Sequence, residues 1–173
     1  MIPSDISQVA TSTHLKRQLL LLFVAYHPSL SEVQKLKRCL LGLPSEAGYA
    51  VVVNDYNSGE PVEQVLDGAD FFLKNKDNPG YGRAVNRLVM RMGPKAPYIG
   101  VLNTDLSWQS GTFAQLLGWL QQHPQVSLAV PQIVDEAGTP QNLCKQHPTV
   151  LALLSRRFVP RCFKPTWLKN YDD

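Results

Sequence analysis

Apolar and polar residues follow one another along the chain in blocks that predict buried strands separated by helices. Strand-like apolar runs span residues 19–25, 49–53, 70–74, 98–102 and 126–130. Such short, nearly continuous apolar runs are typical of parallel strands that are covered on both faces. The chain is therefore predicted to contribute five strands to one sheet.

Helical periodicity fills the intervals between these runs. Ser29 and Glu32 have the spacing of a capping box, and apolar residues recur at helical intervals after them. A second helix is expected after Gly82, with apolar residues from Ala84 to Met92 on one face, and a third covers 113–120 and ends before Pro124. Strands that alternate with helices in this way indicate an α/β fold, a three-layer sandwich with a largely parallel central sheet.

The two ends of the chain lack this alternation. Residues 1–18 are polar and without periodicity, which predicts a tail before one domain over residues 19–173. Residues 134–139 have the composition of a tight turn. Residues 156–169 interleave basic with apolar side chains. Two interpretations of that segment stay open, which are packing against protein and peripheral contact with an anionic membrane.

Composition excludes several classes of protein. Of the 173 residues, 44% are hydrophobic and only 18% are charged, which excludes a disordered chain. The net charge of +3 suits an anionic small ligand and does not call for nucleic acid. Three cysteines without a CxxC pair favour a reducing compartment. No apolar run approaches the roughly 20 residues that span a bilayer, so a cytoplasmic protein is expected, with the inner face of the membrane as a peripheral site.

Polar residues gather where the predicted strands end, which is where open parallel sheets bind ligands. Four such groups, expected to converge on one crevice, are residues 26–27, 55–58, 78–82 and 103–105. The third group opens a helix with two glycines, and free backbone N–H groups at a helix start favour a phosphate. Asp105 in the fourth group is placed to hold a divalent cation together with substrate phosphates.

Each group also has a purely structural explanation. The 55–58 group has the composition of an ordinary strand-to-loop turn, and the 78–82 group that of a common loop. Asp105 would equally serve to cap the segment that follows it. Arg83 and the arginines at four-residue intervals after it are typical of a solvated helix face as well as of a phosphate clamp. Taken singly, no group identifies a function.

Taken in order, the groups resemble the sequence pattern of family 2 glycosyltransferases, which have the GT-A fold and include bacterial rhamnosyltransferases. The similarity covers residues 19 to about 155 in order and with suitable spacing. The segments that match the pattern are Tyr26-His27-Pro28, Asp55-Tyr56-Asn57-Ser58, Asn78-Pro79-Gly80-Tyr81 with Asn86, Asn103-Thr104-Asp105, and residues 123–138.

The resemblance implies transfer of a sugar from a nucleoside-diphosphate sugar to a glycan or lipid-linked acceptor, in the biosynthesis of bacterial surface polysaccharide such as lipopolysaccharide. By position, Tyr26 and Asp55 would hold the base and ribose, and Asp105 would meet Mg²⁺ or Mn²⁺ on the diphosphate. The other donor-binding residues that the resemblance implies are His27, Asn57, Ser58, Asn78, Gly80, Tyr81, Arg83, Asn86, Asn103 and Thr104.

The sequence departs from the family pattern in three respects. His27 and Tyr56 stand where the family has asparagine, and Asp105 is the one carboxylate of its metal motif. Family members also continue into a region that supplies the acceptor site and the catalytic base, so no catalytic base is assigned. Two hypotheses remain: an inverting, metal-dependent glycosyltransferase or its donor-binding portion, and a non-catalytic nucleotide-sugar-binding module that needs a partner chain. A homo-oligomer is compatible with either.

Overall fold

The structure, a computed structural model, describes residues 7–10, 17–92, 96–135 and 137–141. Its sheet has helices on both faces. The strands are β1 (Ser7–Ala10), β2 (Leu19–Tyr26), β3 (Ala47–Asn54), β4 (Phe71–Lys74) and β5 (Tyr98–Asn103), and the helices are α1 (Leu30–Leu40), the short 3-10 helix η1 (Pro61–Val65), α2 (Tyr81–Met92) and α3 (Thr112–Gln122).

The order of strands in the sheet places a switch point beside β2. The order is β1-β4-β3-β2-β5, with β2 to β5 parallel and β1 antiparallel to β4. The chain runs from β2 to β3 and β4 on one side, and then crosses to β5 on the other side. In open α/β sheets, the crevice beyond the carboxyl ends of the strands at such a reversal is where ligands bind.

Two apolar layers hold the helices to the sheet. Alternate residues of β2 face opposite sides, so that Phe23 packs with residues of α1, η1 and α3, whereas Leu22 packs with residues of α2. Both side chains are fully buried, as the continuous apolar run predicted. The expected α/β sandwich, with a largely parallel sheet between layers of helices, is therefore confirmed.

Two expectations from the sequence are wrong. Residues 7–10, expected to belong to a tail, form β1 and pair with β4. Residues 126–130, expected to form a fifth parallel strand, are irregular. That run lies between Pro124 and Pro131, which lack backbone N–H donors, and two of its apolar side chains are exposed rather than packed in a core.

The chain divides into two compact units, residues 1–127 and 128–173. In the second unit, the predicted turn over 134–139 is confirmed, because Val134 and Pro140 form an antiparallel bridge and the Asp135 carboxylate accepts hydrogen bonds from Ala137 N and Thr139 N. The basic and apolar segment 156–169 lies outside the described residues. Within the described ranges, no helix has the length and apolar character that crossing a membrane requires.

Candidate functional site

Neighbouring strands β2 and β3 both end in a backbone turn that places two side chains in contact. Tyr26 and Asn54 are partners in the sheet, and the residues that follow them, His27 and Asp55, have φ of 44° and 51°. This left-handed conformation costs a residue other than glycine about 1–2 kcal/mol. The His27 Nε2 and Asp55 Oδ2 atoms lie 3.0 Å apart, so a hydrogen bond between the two side chains holds the two turns together.

The other ring nitrogen of His27 faces a second carboxylate. His27 Nδ1 lies 3.1 Å from Oε1 of Glu60, and the same oxygen accepts a hydrogen bond of 3.1 Å from the backbone N–H of Asn57. The hydrogen bond with Asp55 raises the pKa of His27, against a smaller effect of desolvation, and the charges of both carboxylates raise it further. Glu60 was not predicted from the sequence as a site residue. Its side chain is only 12% exposed.

The loop after β3 is also tied to β4 by a tyrosine, a glutamate and a lysine. The Tyr56 hydroxyl donates a hydrogen bond to Glu63, and Lys74 Nζ donates one of 2.9 Å to the same hydroxyl. The Lys74 ammonium also lies 4.1 Å from the centroid of the Tyr56 ring. The hydrogen bond from Tyr56 lowers the pKa of Glu63, and Lys74 contributes. Tyr56 therefore anchors η1 to the end of β4.

A chain of side-chain amides fixes the loop after β4. Asn75 Nδ2 donates to Asn54 Oδ1 over 2.8 Å, Asn54 Nδ2 donates to Asn78 Oδ1 over 3.3 Å, and Gly80 N donates to that same oxygen over 3.0 Å. Arg87 Nη1 donates to Asn75 Oδ1 over 3.2 Å. Asn54 and Asn75 are 1% and 2% exposed, and buried amides require such partners. The loop that leads into α2 is thereby set against β3.

A cleft of about 220 Å³ lies between the carboxyl ends of β2 and β5, at the switch point. At the start of α2, burial and then the charge of Asp105 raise the pKa of Tyr81. The cleft is smaller than the roughly 300–1,000 Å³ of most ligand pockets. Its lining residues are Val24, Tyr26, His27, Pro28, Glu32, Asn103, Thr104 and Asp105.

These contacts join the four polar groups into one continuous edge. His27 links the first group to Asp55 of the second, and Asn54, which directly precedes the second group, donates to Asn78 of the third. The cleft brings the first and fourth groups together. Three predicted donor-binding residues lie outside these contacts and are exposed, which are Ser58, Arg83 and Asn86.

The three arginines at four-residue intervals on α2 form the predicted arginine stripe, and they differ in their contacts. They are Arg83, Arg87 and Arg91. Arg87 donates to Asn75 and also to Asp77 Oδ1 over 3.2 Å, so it supports the loop. Arg83 and Arg91 are exposed on the same helix. Of the stripe, only Arg83 lies in the first turn of α2, close to the loop at Gly80, whose φ of 86° suits glycine.

The fourth polar group offers one carboxylate, that of Asp105, as a possible metal ligand. Across the described ranges, no cluster of three or more histidine, cysteine, aspartate or glutamate side chains has the arrangement of a metal site. Glu32 lines the cleft, but its carboxylate accepts a hydrogen bond of 2.6 Å from Ser29 N. The exposed Asp105 therefore fits a hard cation only where phosphate oxygens supply most of the remaining ligands.

No model of a protein family matches the chain, and none of the curated proteins matches it. The candidate site is therefore defined by the strand ends, the contacts between their side chains, and the cleft at the switch point.

Proposed function

We propose that this chain binds a nucleoside-diphosphate sugar at the carboxyl edge of its sheet, as the donor-binding portion of a glycosyltransferase with the GT-A fold. One observation carries the proposal. The loops after β2, β3, β4 and β5, which hold the motifs of the family pattern in order, are joined along one edge at the switch point.

Two regions of this edge suit different parts of a nucleotide sugar. The Asp55 carboxylate would accept hydrogen bonds from ribose hydroxyls or from a base N–H group, and the exposed Tyr26 ring offers a face on which a base would stack. The backbone N–H groups at the start of α2, beside Gly80, favour a phosphate.

Transfer itself would need charge on the leaving diphosphate to be neutralised. Mg²⁺ or Mn²⁺, held by Asp105 and the diphosphate, would supply that neutralisation as a Lewis acid. The chain's own residues would bind and orient the donor for a glycan or lipid-linked acceptor. No catalytic base is part of the proposal, and a module that binds the donor without transferring the sugar is the alternative.

Calorimetry with UDP-, dTDP- and GDP-sugars, with and without Mn²⁺, tests the proposed binding. One of them should bind, and Asp55→Asn should weaken it by about tenfold or more, as expected for loss of a charged hydrogen-bond acceptor. Asp67→Asn is the matched control, because Asp67 is exposed and follows η1 rather than a strand. If no nucleotide binds, or if both variants weaken binding equally, the proposal is wrong.

A second measurement separates the enzyme from the module. Release of nucleoside diphosphate that depends on an added acceptor extract would support transfer by this chain. Binding of the donor without such release would support the module.

A further inference from the structure

His27 has a carboxylate at each of its two ring nitrogens. Asp55 Oδ2 lies 3.0 Å from Nε2, and Glu60 Oε1 lies 3.1 Å from Nδ1. A neutral imidazole has one N–H and one lone pair, so it can donate to only one of these oxygens and would turn a lone pair towards the other. The imidazolium ion donates from both nitrogens, and the geometry fits that form.

The surroundings of His27 also favour a positive charge. Asp55 and Glu60 face it from the loop after β3, and Glu32 of α1 and Asp105 after β5 line the same cleft. The Tyr26 ring centroid lies 4.7 Å from that of the imidazole. Of these groups, His27 is the one that can carry a positive charge, and its pKa lies above the ordinary value of 6.5, chiefly because of the hydrogen bond to Asp55.

The second carboxylate, that of Glu60, is largely buried, unlike that of Asp55. Its Oε1 also accepts from Asn57 N, and its Oε2 is buried with no hydrogen-bond partner in the described part of the chain. A buried carboxylate needs a cationic partner, because removing its charge from water is costly. His27 therefore connects the end of β2 with a carboxylate that is anchored in the loop before η1.

We propose that His27 is a positioning residue, whose imidazolium bridges Asp55 and Glu60 and so fixes the direction in which the Asp55 carboxylate meets a bound nucleotide. That a nucleotide binds beside Asp55 rests on the proposed function, whereas the bridge is a property of the free protein. When His27 loses its proton, one carboxylate loses its donor. Nucleotide affinity is therefore high below the pKa of His27 and decreases as the pH rises through it.

The bridge is tested without nucleotide, by following the ring resonances of His27 with pH in NMR spectra, assigned by their absence in His27→Asn. The pKa of His27 should exceed 6.5 in the wild-type protein and fall in Glu60→Gln. Glu46→Gln, an identical change before the amino end of β3, should leave it unchanged. An ordinary pKa in the wild type, or an equal pKa in Glu60→Gln, would overturn the bridge.

The positioning role is tested by the affinity for the nucleotide that calorimetry identifies, at pH 6 and pH 8. Affinity of the wild type and of Glu46→Gln should decrease by about tenfold over this range, the effect of one charge-assisted hydrogen bond. His27→Asn and Glu60→Gln should show a flatter profile, and because any ionisation of the ligand affects all four proteins alike, the difference between profiles reports His27. Equal profiles in all four would overturn the positioning role.

The two proposals fail in different ways. Absence of nucleotide binding at both pH values, with the expected titration of His27, would refute the proposed function and the positioning role while the bridge remains. Nucleotide binding with an ordinary His27 pKa would refute the bridge and leave the proposed function in place.

Discussion

The two sides of β2 differ in how their loops are held at the carboxyl edge of the sheet. On the β3 side, the polar side chains mostly contact one another, through the amide chain of Asn54 and Asn75 and the bridge at His27. On the β5 side, the side chains of Asn103 and Asp105 make no hydrogen bond with any residue that the structure describes. The first side is thus preorganised, and the second retains polar groups that a ligand or cation can engage.

The position of each strand in the sheet explains this difference. β3 lies between two strands, so the side chain of its last residue, Asn54, is buried and must pair with other protein groups. β5 is the last strand of the described sheet, and one of its faces is open, with Ile99 and Val101 46% and 48% exposed. Asn103 and Asp105 therefore remain in water, where hydrogen bonds to solvent satisfy them at little cost.

The largest effect is expected from removing a buried amide on the preorganised side. Asn75→Ala leaves the buried Asn54 Oδ1 without its donor and removes one of the two acceptors of Arg87 Nη1, so we expect unfolding free energy to fall by about 2–3 kcal/mol. The matched change on the open side, Asn103→Ala, should alter it by less than about 0.5 kcal/mol. Urea unfolding measures both, with Trp108, stacked against Phe23, as a fluorescent reporter of the core.

Equal losses in the two variants would abolish the distinction between the sides. Should Asn75→Ala prove neutral, water would have to replace the lost amide, and the loop after β4 would not depend on the amide chain.

On the open side, the expected effect is on how strongly nucleotide affinity depends on a divalent cation. If Asp105 meets a cation on the diphosphate, Asp105→Asn should remove the gain in nucleotide affinity that Mn²⁺ provides, a loss of about tenfold. Asp55→Asn should lower affinity with and without Mn²⁺ alike, because Asp55 is held by His27 on the preorganised side. Calorimetry at two Mn²⁺ concentrations separates these effects. A retained Mn²⁺ response in Asp105→Asn would contradict the metal assignment.

Glu32 lines the cleft but also belongs to the cap at the start of α1, so a change in that cap tests whether the cap is part of the binding surface. Ser29 and Glu32 form a complete capping box, with Ser29 Oγ accepting from Glu32 N over 3.3 Å. Ser29→Ala should therefore lower unfolding free energy by about 1 kcal/mol and leave nucleotide affinity unchanged. Gln34→Ala, at an exposed position of the same helix, is the control.

Acid should weaken the same cap. The hydrogen bonds from Ser29 lower the pKa of Glu32 below its ordinary value of 4.5. Because the native state depresses this pKa, the contribution is present above 4.5 and is lost as the pH falls through the native value. Glu32→Gln, which cannot ionise, should therefore flatten the decline of stability below pH 4.5, and an unaltered decline would place Glu32 outside the cap.

The sequence predicts features whose cause is local and misses those that depend on strand pairing. The apolar run 19–25 and the capping box at Ser29 are confirmed, because periodicity and helix capping act over a few neighbouring residues. β1 has no apolar periodicity from which a strand could be predicted. Its pairing with β4 joins segments more than sixty residues apart along the chain. Glu60 likewise gains its partner, His27, only when β2 and β3 lie side by side.

The smallest effect is expected in the stability of the free protein between pH 6 and 8. His27 has a pKa raised above 6.5 in the native state, so its contribution is complete below 6.5 and is lost as the pH rises through the native pKa. The bridge is partly exposed, at 41% for His27 and 49% for Asp55, and solvent screening weakens such pairs. Urea unfolding at the two pH values should therefore show a smaller loss than Ser29→Ala, and His27→Asn should remove it. A larger loss would mean that the bridge chiefly holds the fold, and the affinity profile would then report unfolding of the edge rather than the orientation of Asp55.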